Sequence, residues 1–340
     1  MGNRASAAEP PPADPSAERE LLSILVPVYN EAEVLPEFHR RLCAAVVGLP
    51  LLVEVLYVDD GSTDDSRAWL ARLQVDDSRV AVLALSRNFG KETAMAAGLD
   101  HVQGDAVVII DADLQDPPEL LAALVDAWKQ GFDQVEMQRA SREGESAAKR
   151  WTAHAFYRLM TRVSDVAMTP DVGDFRLLSR RAVEALKTLR ERNRFMKGLY
   201  AWVGYPRIQL TYHRERRHAG SSKWNYWRLW NLAIEGFTSF TVLPLKVASY
   251  VGLLVALAAF AYGVFVILKT LVFGEPITGY PSLMVVLLFL GGAQLLCVGI
   301  LGEYLGRMFV ETKQRPLYLI DTYCPPARTA IALSSRPVAP

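Results

Sequence analysis

Asp111-Ala112-Asp113-Leu114-Gln115 follows directly after the apolar run Ala106-Val107-Val108-Ile109-Ile110. Such a run is typical of a parallel strand that is buried on both faces. Open α/β sheets bind their ligands at the carboxyl ends of the strands. Two carboxylates two residues apart at that position suit a divalent cation held against a diphosphate, because Mg²⁺ and Mn²⁺ prefer oxygen ligands. The alternative is a solvated turn after the strand.

The first half of the chain alternates strand-like and helix-like segments. Strands are predicted at 21–26, 53–58, 80–85, 106–110 and 133–137, and helices at 32–47, 63–74, 92–101 and 118–130. Alternation of this kind predicts a mostly parallel sheet with helices on both faces. We therefore expect an α/β domain over residues 21–224.

The start of the chain and its cysteines place limits on the class of protein. Residues 1–20 are rich in Ala, Pro and acidic residues, so we expect a disordered segment rather than a signal peptide. Cys43, Cys297 and Cys324 show no CxxC or clustered Cys/His pattern. This pattern predicts neither a zinc site nor a disulfide framework, and it fits a reducing, cytoplasmic setting.

Charge is distributed unevenly along the chain. The net charge is zero, which gives no argument for nucleic acid as a partner, and we expect none. Residues 139–228 nevertheless hold 20 Lys or Arg against 8 Asp or Glu. A basic middle next to an apolar end indicates work at an anionic membrane surface or on phosphates. An ordinary solvated helical face is the alternative.

Two segments near the end have the length and composition of membrane spans. Residues 247–268 and 282–302 are 22 and 21 residues long and contain no charge. Each is long enough as a helix to cross a hydrocarbon core of about 30 Å. Because Arg and Lys flank the pair on the outside, the positive-inside rule places the large domain and the tail at 307–340 in the cytoplasm of a multi-pass protein of the cell membrane.

A segment with mixed aromatic and basic residues precedes the first span. Residues 225–245 begin Asn225-Tyr226-Trp227-Arg228-Leu229-Trp230. Aromatics interleaved with Arg are typical of a helix that lies in the membrane interface. A connecting helix packed on the domain is the alternative.

Polar residues also follow the earlier strands, at the same predicted sheet edge as Asp111. Tyr29 and Glu31 follow the first strand, and Asp60 follows the second. An aromatic ring and carboxylates there suit a base and a ribose. The alternative for Asp60-Gly61-Ser62 is a turn in which Ser62 or Thr63 caps the next helix. Lys91 follows the third strand and adds a donor.

Basic side chains provide candidate phosphate ligands. Arg139 and Arg142 follow the fifth predicted strand, where guanidinium groups suit a phosphate or diphosphate. The basic loop 214–223 lies just before the interfacial segment and is well placed for a lipid phosphate. The alternative is that this loop binds the membrane surface electrostatically, without specificity for a lipid phosphate.

Taken together, these motifs resemble family-2 glycosyltransferases. The residues concerned are Pro27-Val28-Tyr29-Asn30-Glu31, Asp59-Asp60-Gly61-Ser62-Thr63-Asp64, Asn88-Phe89-Gly90-Lys91 and Asp111-Ala112-Asp113-Leu114-Gln115-Asp116-Pro117-Pro118-Glu119. Residues 21–320 are most similar to the polyisoprenyl-phosphate glycosyltransferases, which include dolichyl-phosphate mannose synthase and bacterial undecaprenyl-phosphate glucosyltransferases. Gly173-Asp174-Phe175-Arg176-Leu177 also fits this group.

The resemblance implies a GT-A fold and a role for each matching residue. It implies nucleotide contacts at Pro27, Tyr29, Glu31 and Asp60, and we expect Lys91, Asp111 and Ala112 to contact the nucleotide as well. It implies a divalent cation, Mg²⁺ or Mn²⁺, at Asp111, Asp113 and Gln115, which form the catalytic set together with Arg139. It implies a lipid phosphate near Arg217 and Lys223, and we expect Arg142 and Ser222 to contribute to the same lipid-phosphate site.

The activity implied is inverting transfer of a sugar from a nucleotide-sugar to polyprenyl phosphate. UDP-glucose is the leading donor, and GDP-mannose, a UDP-N-acetylhexosamine and an aminoarabinose donor stay open. A processive synthase is disfavoured because the chain lacks a Gln-x-x-Arg-Trp motif. A membrane-anchored module that binds nucleotide-sugars without turnover is the alternative from another class. We also expect a homo-oligomer.

Overall fold

The computed structural model describes residues 20–140, 172–192, 194–213, 243–273 and 279–327. The segment before residue 20 and nearly all of the predicted interfacial helix lie outside the described residues. The four predicted lipid-phosphate ligands also lie outside them: Arg142, Arg217, Ser222 and Lys223.

The described part of the chain begins with the alternation that the sequence predicts. The strands are β1 (Leu21–Val28), β2 (Leu52–Asp59), β3 (Val80–Leu85), β4 (Ala106–Ile109), β5 (Gln134–Arg139), β6 (Val172–Ser179), β7 (Arg207–Tyr212) and β8 (Ile320–Cys324). The helices are α1 (Leu35–Val46), α2 (Ser66–Asp76), α3 (Lys91–His101), α4 (Leu121–Lys129), α5 (Arg180–Thr188), α6 (Met196–Trp202), α7 (Leu243–Phe273) and α8 (Tyr280–Thr312). The elements predicted for the first half are confirmed, with small shifts at their ends.

These strands form one sheet in the order β7-β5-β6-β4-β1-β2-β3-β8. β1 pairs in parallel with β2 and β4, β2 with β3, and β5 with β7. β6 is antiparallel to β4 and β5, and β8 is antiparallel to β3. The prediction of a mostly parallel α/β sheet is confirmed.

Helices cover both faces of the sheet because successive strand side chains point to opposite sides. Ile24 and Val26 of β1 belong to the same buried cluster as Phe38 of α1. Leu25 belongs to a second cluster on the other face, which includes α3. The helix α3 comes so close there that a Cβ added to Gly98 would lie 2.1 Å from Leu25 Cδ1. This close approach packs α3 tightly against the middle of β1.

Two long apolar helices, α7 and α8, follow the domain. Leu245–Val266 and Phe289–Thr312 are long and apolar enough to cross a membrane, with 22 and 24 residues. Side chains such as Leu254, Phe260 and Leu295 are exposed rather than packed in a core. The predicted spans lie inside these helices, and α8 continues past residue 302 to Thr312.

After α8 the chain returns to the edge of the sheet as β8. The backbone N–H of Ser86 donates to Leu319 O at 2.9 Å, and Arg67 forms an ion pair with Asp321. The hydroxyl of Tyr318 donates to Asp100 at 2.9 Å. The sequence analysis predicts only a tail for residues 307–340, and the strand β8 was not predicted. A five-residue edge strand carries too weak a pattern to be found from sequence alone.

Candidate active site

The loops after β1 and β2 are joined by hydrogen bonds at the carboxyl end of the sheet. The N–H of Asn30 donates to Ser62 Oγ at 3.0 Å, and the N–H of Thr63 donates to Asn30 Oδ1 at 2.8 Å. The alternative reading, in which Ser62 or Thr63 caps α2, is wrong: α2 begins at Ser66, and its N-cap residue Asp65 makes no side-chain cap. The hydroxyl of Ser62 instead ties the two loops together.

Asp60 connects this pair of loops to the loop after β3. Its two carboxylate oxygens accept from the backbone N–H groups of Phe89 and Gly90 at 2.7 and 2.9 Å. Burial raises the pKa of Asp60, although these two bonds oppose the shift. Gly61 adopts a φ of 67°, and a Cβ there would lie 2.4 Å from Arg87 C. Asp60 therefore organises the loops around the predicted nucleotide site.

Other predicted nucleotide residues lie along the same edge. Tyr29 is 38% exposed at this edge. Pro27 and Glu31 are half-buried beside it. Ala112 is buried, which leaves its backbone rather than its side chain for a ligand.

The Asp111–Gln115 turn carries backbone strain. Leu114 has a φ of 58° and is only 2% exposed. A non-glycine residue in this left-handed region costs roughly 1–2 kcal/mol. The turn lets Asp113 Oδ1 accept from the N–H of Gln115 at 3.1 Å. Strain of this kind is frequent at functional sites, where the surrounding core over-determines the conformation.

Lys91, Asp111 and Asp174 meet at this edge. Lys91 Nζ donates to Asp111 Oδ2 at 2.8 Å and also bonds Asp174 Oδ2. The same Nζ atom lies 2.7 Å from the other oxygen, Asp111 Oδ1. This second contact is an ion pair without a hydrogen bond, because the hydrogen bond is directed at Oδ2. The antiparallel pairing of Ile109 with Arg176 explains the meeting, because it puts the start of β6 beside the end of β4.

The charges in this cluster perturb one another. Burial alone would lower the pKa of Lys91, but Asp111 and Asp174 outweigh it and the pKa lies well above its usual value. Burial raises the pKa of Asp111. Burial opposes ionisation of Asp174 too, yet Lys91 and Lys197 hold its pKa well below the usual range. Lys91 thus offsets only part of the negative charge gathered here.

The donor set fits the predicted divalent cation. Asp111 and Asp174 share the ammonium group of Lys91, and the buried oxygen Asp174 Oδ1 has no hydrogen-bond donor among the described residues. Buried carboxylate oxygens of this kind need a cation or a donor. Oxygen-only ligands favour Mg²⁺ or Mn²⁺ over softer metals.

Arg139 ends β5 at the same edge. Its guanidinium bonds the Tyr212 hydroxyl, which in turn donates to Asp116. Burial alone would lower the pKa of Arg139, but Tyr212 and the nearby carboxylates raise it. Its buried Nε has no hydrogen-bond partner among the described residues. Arg139 is therefore a fixed positive charge with a spare donor next to the acidic cluster.

Sequence reasoning did not assign a role to Asp174, Glu92 or Lys197. Glu92 accepts from the N–H of Met196 at 2.9 Å, and burial raises its pKa to about 7. Behind Asp174, the guanidinium of Arg176 is 2% exposed and stacks 3.7 Å from the Tyr200 ring centroid. The sequence did contain one sign of this cluster, the family-like stretch Gly173-Asp174-Phe175-Arg176-Leu177.

Comparison with known proteins identifies two regions of the chain. Residues 23–187 match the family described as glycosyl transferase family 2, and residues 243–308 match the GtrB C-terminal hairpin. The chain is 48% identical over 301 residues to the bactoprenol glucosyl transferase of Shigella phage SfX, covering 88% of this chain and 99% of that one. It is 46% identical over 299 residues to the prophage bactoprenol glucosyl transferase homolog of Escherichia coli K12, covering 88% and 98%.

A further relative agrees with this result. A glycosyltransferase of Synechocystis sp. is 49% identical over 300 residues, covering 88% of this chain and 94% of that one. Among solved structures, mannosyl-3-phosphoglycerate synthase from Rubrobacter xylanophilus matches with 20% identity and a TM-score of 0.44, over 64% of this chain and 71% of that chain. The chain belongs to glycosyl transferase family 2 and carries the GtrB-type C-terminal hairpin.

Proposed function

We propose that this glycosyltransferase moves glucose from UDP-glucose to a polyprenyl phosphate of the bactoprenol (undecaprenol) type and releases UDP. The observation that carries the proposal is the similarity to bactoprenol glucosyl transferases over nearly their whole length, hairpin included. The geometry supports it, since an acidic site for a nucleotide-sugar and two apolar helices belong to one chain.

The donor is bound at the carboxyl edge of the sheet. Asp111 and Asp113, with Gln115, would hold Mg²⁺ or Mn²⁺. When bound, the cation offsets negative charge on the departing diphosphate. Arg139 supplies further positive charge, and Tyr29, Glu31 and Pro27 flank the nucleotide. Asp60 keeps the surrounding loops in place through its two backbone bonds.

The acceptor phosphate is its own nucleophile. The second pKa of a phosphate monoester is about 6, so the attacking oxygen is already largely anionic at neutral pH. No strong general base is required, and positioning carries more of the rate. In-line attack by that oxygen breaks the bond between the anomeric carbon and the diphosphate. We expect inversion, which gives a β-linked product from an α-linked donor.

The two apolar helices hold this chemistry at the depth where a lipid phosphate emerges. We place both as membrane spans, with the catalytic domain and the tail on the cytoplasmic side. Basic residues outside the pair support this orientation by the positive-inside rule. Arg142, Arg217, Ser222 and Lys223 remain our candidates for the lipid-phosphate site, and a homo-oligomer remains our expectation.

A donor screen tests the function. Purified full-length protein with undecaprenyl phosphate and Mg²⁺ or Mn²⁺ is incubated with radiolabelled UDP-glucose, GDP-mannose, UDP-N-acetylglucosamine or an aminoarabinose donor. We expect label from UDP-glucose in the butanol-soluble fraction, with β configuration. Transfer from only one of the other donors would show that the transferred sugar is not glucose. No transfer from any donor, with UDP-glucose still bound, would favour a binding module.

A further inference from the structure

A second cluster of potential metal ligands lies at the opposite edge of the sheet from Asp111. His39 and Cys43 are four residues apart in α1, so they share one helix face. Asp77 lies between α2 and β3, at the amino ends of the strands. The sequence pattern did not single out His39 and Cys43, because the third residue comes from 34 positions further along the chain.

The three side chains already have the spacing of a metal site. His39 Nε2 lies 3.3 Å from Cys43 Sγ and 3.6 Å from Asp77 Oδ2, and Cys43 Sγ lies 3.9 Å from Asp77 Oδ2. A tetrahedral ion with bonds of about 2.0–2.3 Å separates its ligand atoms by roughly 3.3–3.6 Å. Only a small movement is therefore needed to place all three atoms around one ion.

The surroundings of His39 favour ligation through Nε2. Its Nδ1 lies 2.9 Å from the hydroxyl of Tyr57, which is fully buried. Metal-binding histidines almost always use their second ring nitrogen in such a bond, which fixes the orientation of the ring. The side chains of His39 and Asp77 are only 12% and 16% exposed.

Arg79 currently provides the positive charge in this cluster. Its Nη2 lies 2.6 Å from Asp77 Oδ2 and 3.1 Å from Cys43 Sγ, and its Nε lies 2.9 Å from Asp77 Oδ1. The side chain of Arg79 is 28% exposed, so part of it is in contact with solvent. An entering metal ion would replace the guanidinium against the same two groups.

We propose that His39, Cys43 and Asp77 form a binding site for a divalent transition metal of the Zn²⁺ class, with water as the fourth ligand and Arg79 as the competing internal cation. The imidazole, thiolate and carboxylate set suits Zn²⁺ and Co²⁺ rather than Mg²⁺. On binding, Cys43 loses its thiol proton to solvent and Arg79 moves outward. The bound ion links α1 to the segment before β3, away from the catalytic edge.

Cobalt is the probe for this site. Full-length protein in detergent, stripped of metal with a chelator, is titrated with Co²⁺ while the near-ultraviolet absorption is recorded. A thiolate ligand produces a sulfur-to-cobalt charge-transfer band, which carboxylates at the catalytic edge do not produce. We expect one equivalent of Co²⁺ to give this band and added Zn²⁺ to remove it.

Matched variants assign the band to the cluster. Cys43→Ser abolishes it and His39→Gln weakens it, whereas Cys324→Ser, which changes a half-buried free cysteine on β8, leaves it unchanged. Asp113→Ala also leaves it unchanged, which separates this site from the catalytic cation. Arg79→Gln lowers the apparent dissociation constant at least about tenfold, because the competing charge is gone.

Three results would overturn the proposal. The first is the absence of a thiolate band in the wild-type chain, and the second is a band that survives Cys43→Ser. The third is an unchanged dissociation constant in Arg79→Gln, since that residue must leave for the metal to enter. Thermal melting of each variant confirms that it is folded, so loss of the band is not mistaken for unfolding.

Discussion

The Nζ atom of Lys91 donates to Oδ2 of Asp111 at 2.8 Å, although the two residues are 20 positions apart in the sequence. Lys91 opens α3, and Asp111 follows β4. The same ammonium group also bonds Asp174, which β6 brings to this edge. One lysine thus faces two carboxylates, at the edge where Asp111 and Asp113 are the proposed ligands of a divalent cation.

Asp113→Ala removes one of the proposed cation ligands. We expect turnover to fall at least about 100-fold, because the cation and the diphosphate lose their anchor. Initial rates of transfer to undecaprenyl phosphate at saturating Mn²⁺ measure this effect. Asp126→Ala, on the exposed side of α4, is the matched control and should keep wild-type rates. Wild-type turnover in Asp113→Ala would refute the assignment.

Asp174→Asn tests the carboxylate that sequence reasoning missed. With one negative charge removed, Lys91 is left with Asp111, and the site attracts a cation less strongly. We expect turnover to fall by about 10- to 100-fold and the half-saturating Mn²⁺ concentration to rise. Rates measured across a Mn²⁺ series check both effects. An unchanged Mn²⁺ requirement would show that Asp174 does not act on the cation site.

Glu92 makes stability depend on pH. Burial raises its pKa to about 7 in the folded domain, above the ordinary value of 4.5. The folded state therefore holds a proton that the unfolded state releases, so the free energy of unfolding falls as the pH rises from about 4.5 to about 7. Allowing for partial exposure, we expect a loss of about 1–2 kcal/mol.

Glu92→Gln should remove this pH dependence, since Gln keeps an acceptor for Met196 N–H and carries no charge. Melting temperatures of the two proteins from pH 5 to pH 8 provide the test. The wild type should lose stability relative to Glu92→Gln as the pH rises. Parallel curves would contradict the prediction.

Truncation after Arg315 deletes β8. The domain then loses the backbone pairing with β3, the Tyr318–Asp100 bond and the Arg67–Asp321 ion pair. We expect the free energy of unfolding to fall by about 2–4 kcal/mol, mainly from the backbone hydrogen bonds. Truncation after Ala327 keeps β8 and is the matched control. Equal melting temperatures for the two truncations would show that β8 adds no stability.

A test of the helical hairpin formed by α7 and α8 requires a variant that keeps β8. Cutting the chain after Leu243 would remove both the hairpin and β8. Replacing residues 243–312 with a flexible linker meets this need. We expect such a protein to bind UDP-glucose like the wild type but to lose most transfer to undecaprenyl phosphate, because the site no longer sits at the membrane. Calorimetric binding and lipid extraction are the two measurements. Unchanged lipid transfer would contradict the anchoring role.

Local pattern was sufficient to predict several features of the site. The apolar run before Asp111 predicted β4 and the place of the two carboxylates, because parallel strands end at a common edge. The alternation of segments predicted the sheet. The cap assigned to Ser62 or Thr63 was wrong because the Ser62 hydroxyl bonds a loop 32 residues away, which no local pattern reveals.

Neighbouring residues are sufficient to specify the α/β sheet, the acidic turn at Asp111 and the two apolar helices, because each follows from a local pattern. The contact of Lys91 with Asp174, the return of β8 to β3, and the grouping of His39 and Cys43 with Asp77 depend on how distant parts of the chain pack together. These contacts join residues that are 83, more than 200 and 34 positions apart. Strand register and helix packing set such distances, and neither is written in a local run of residues.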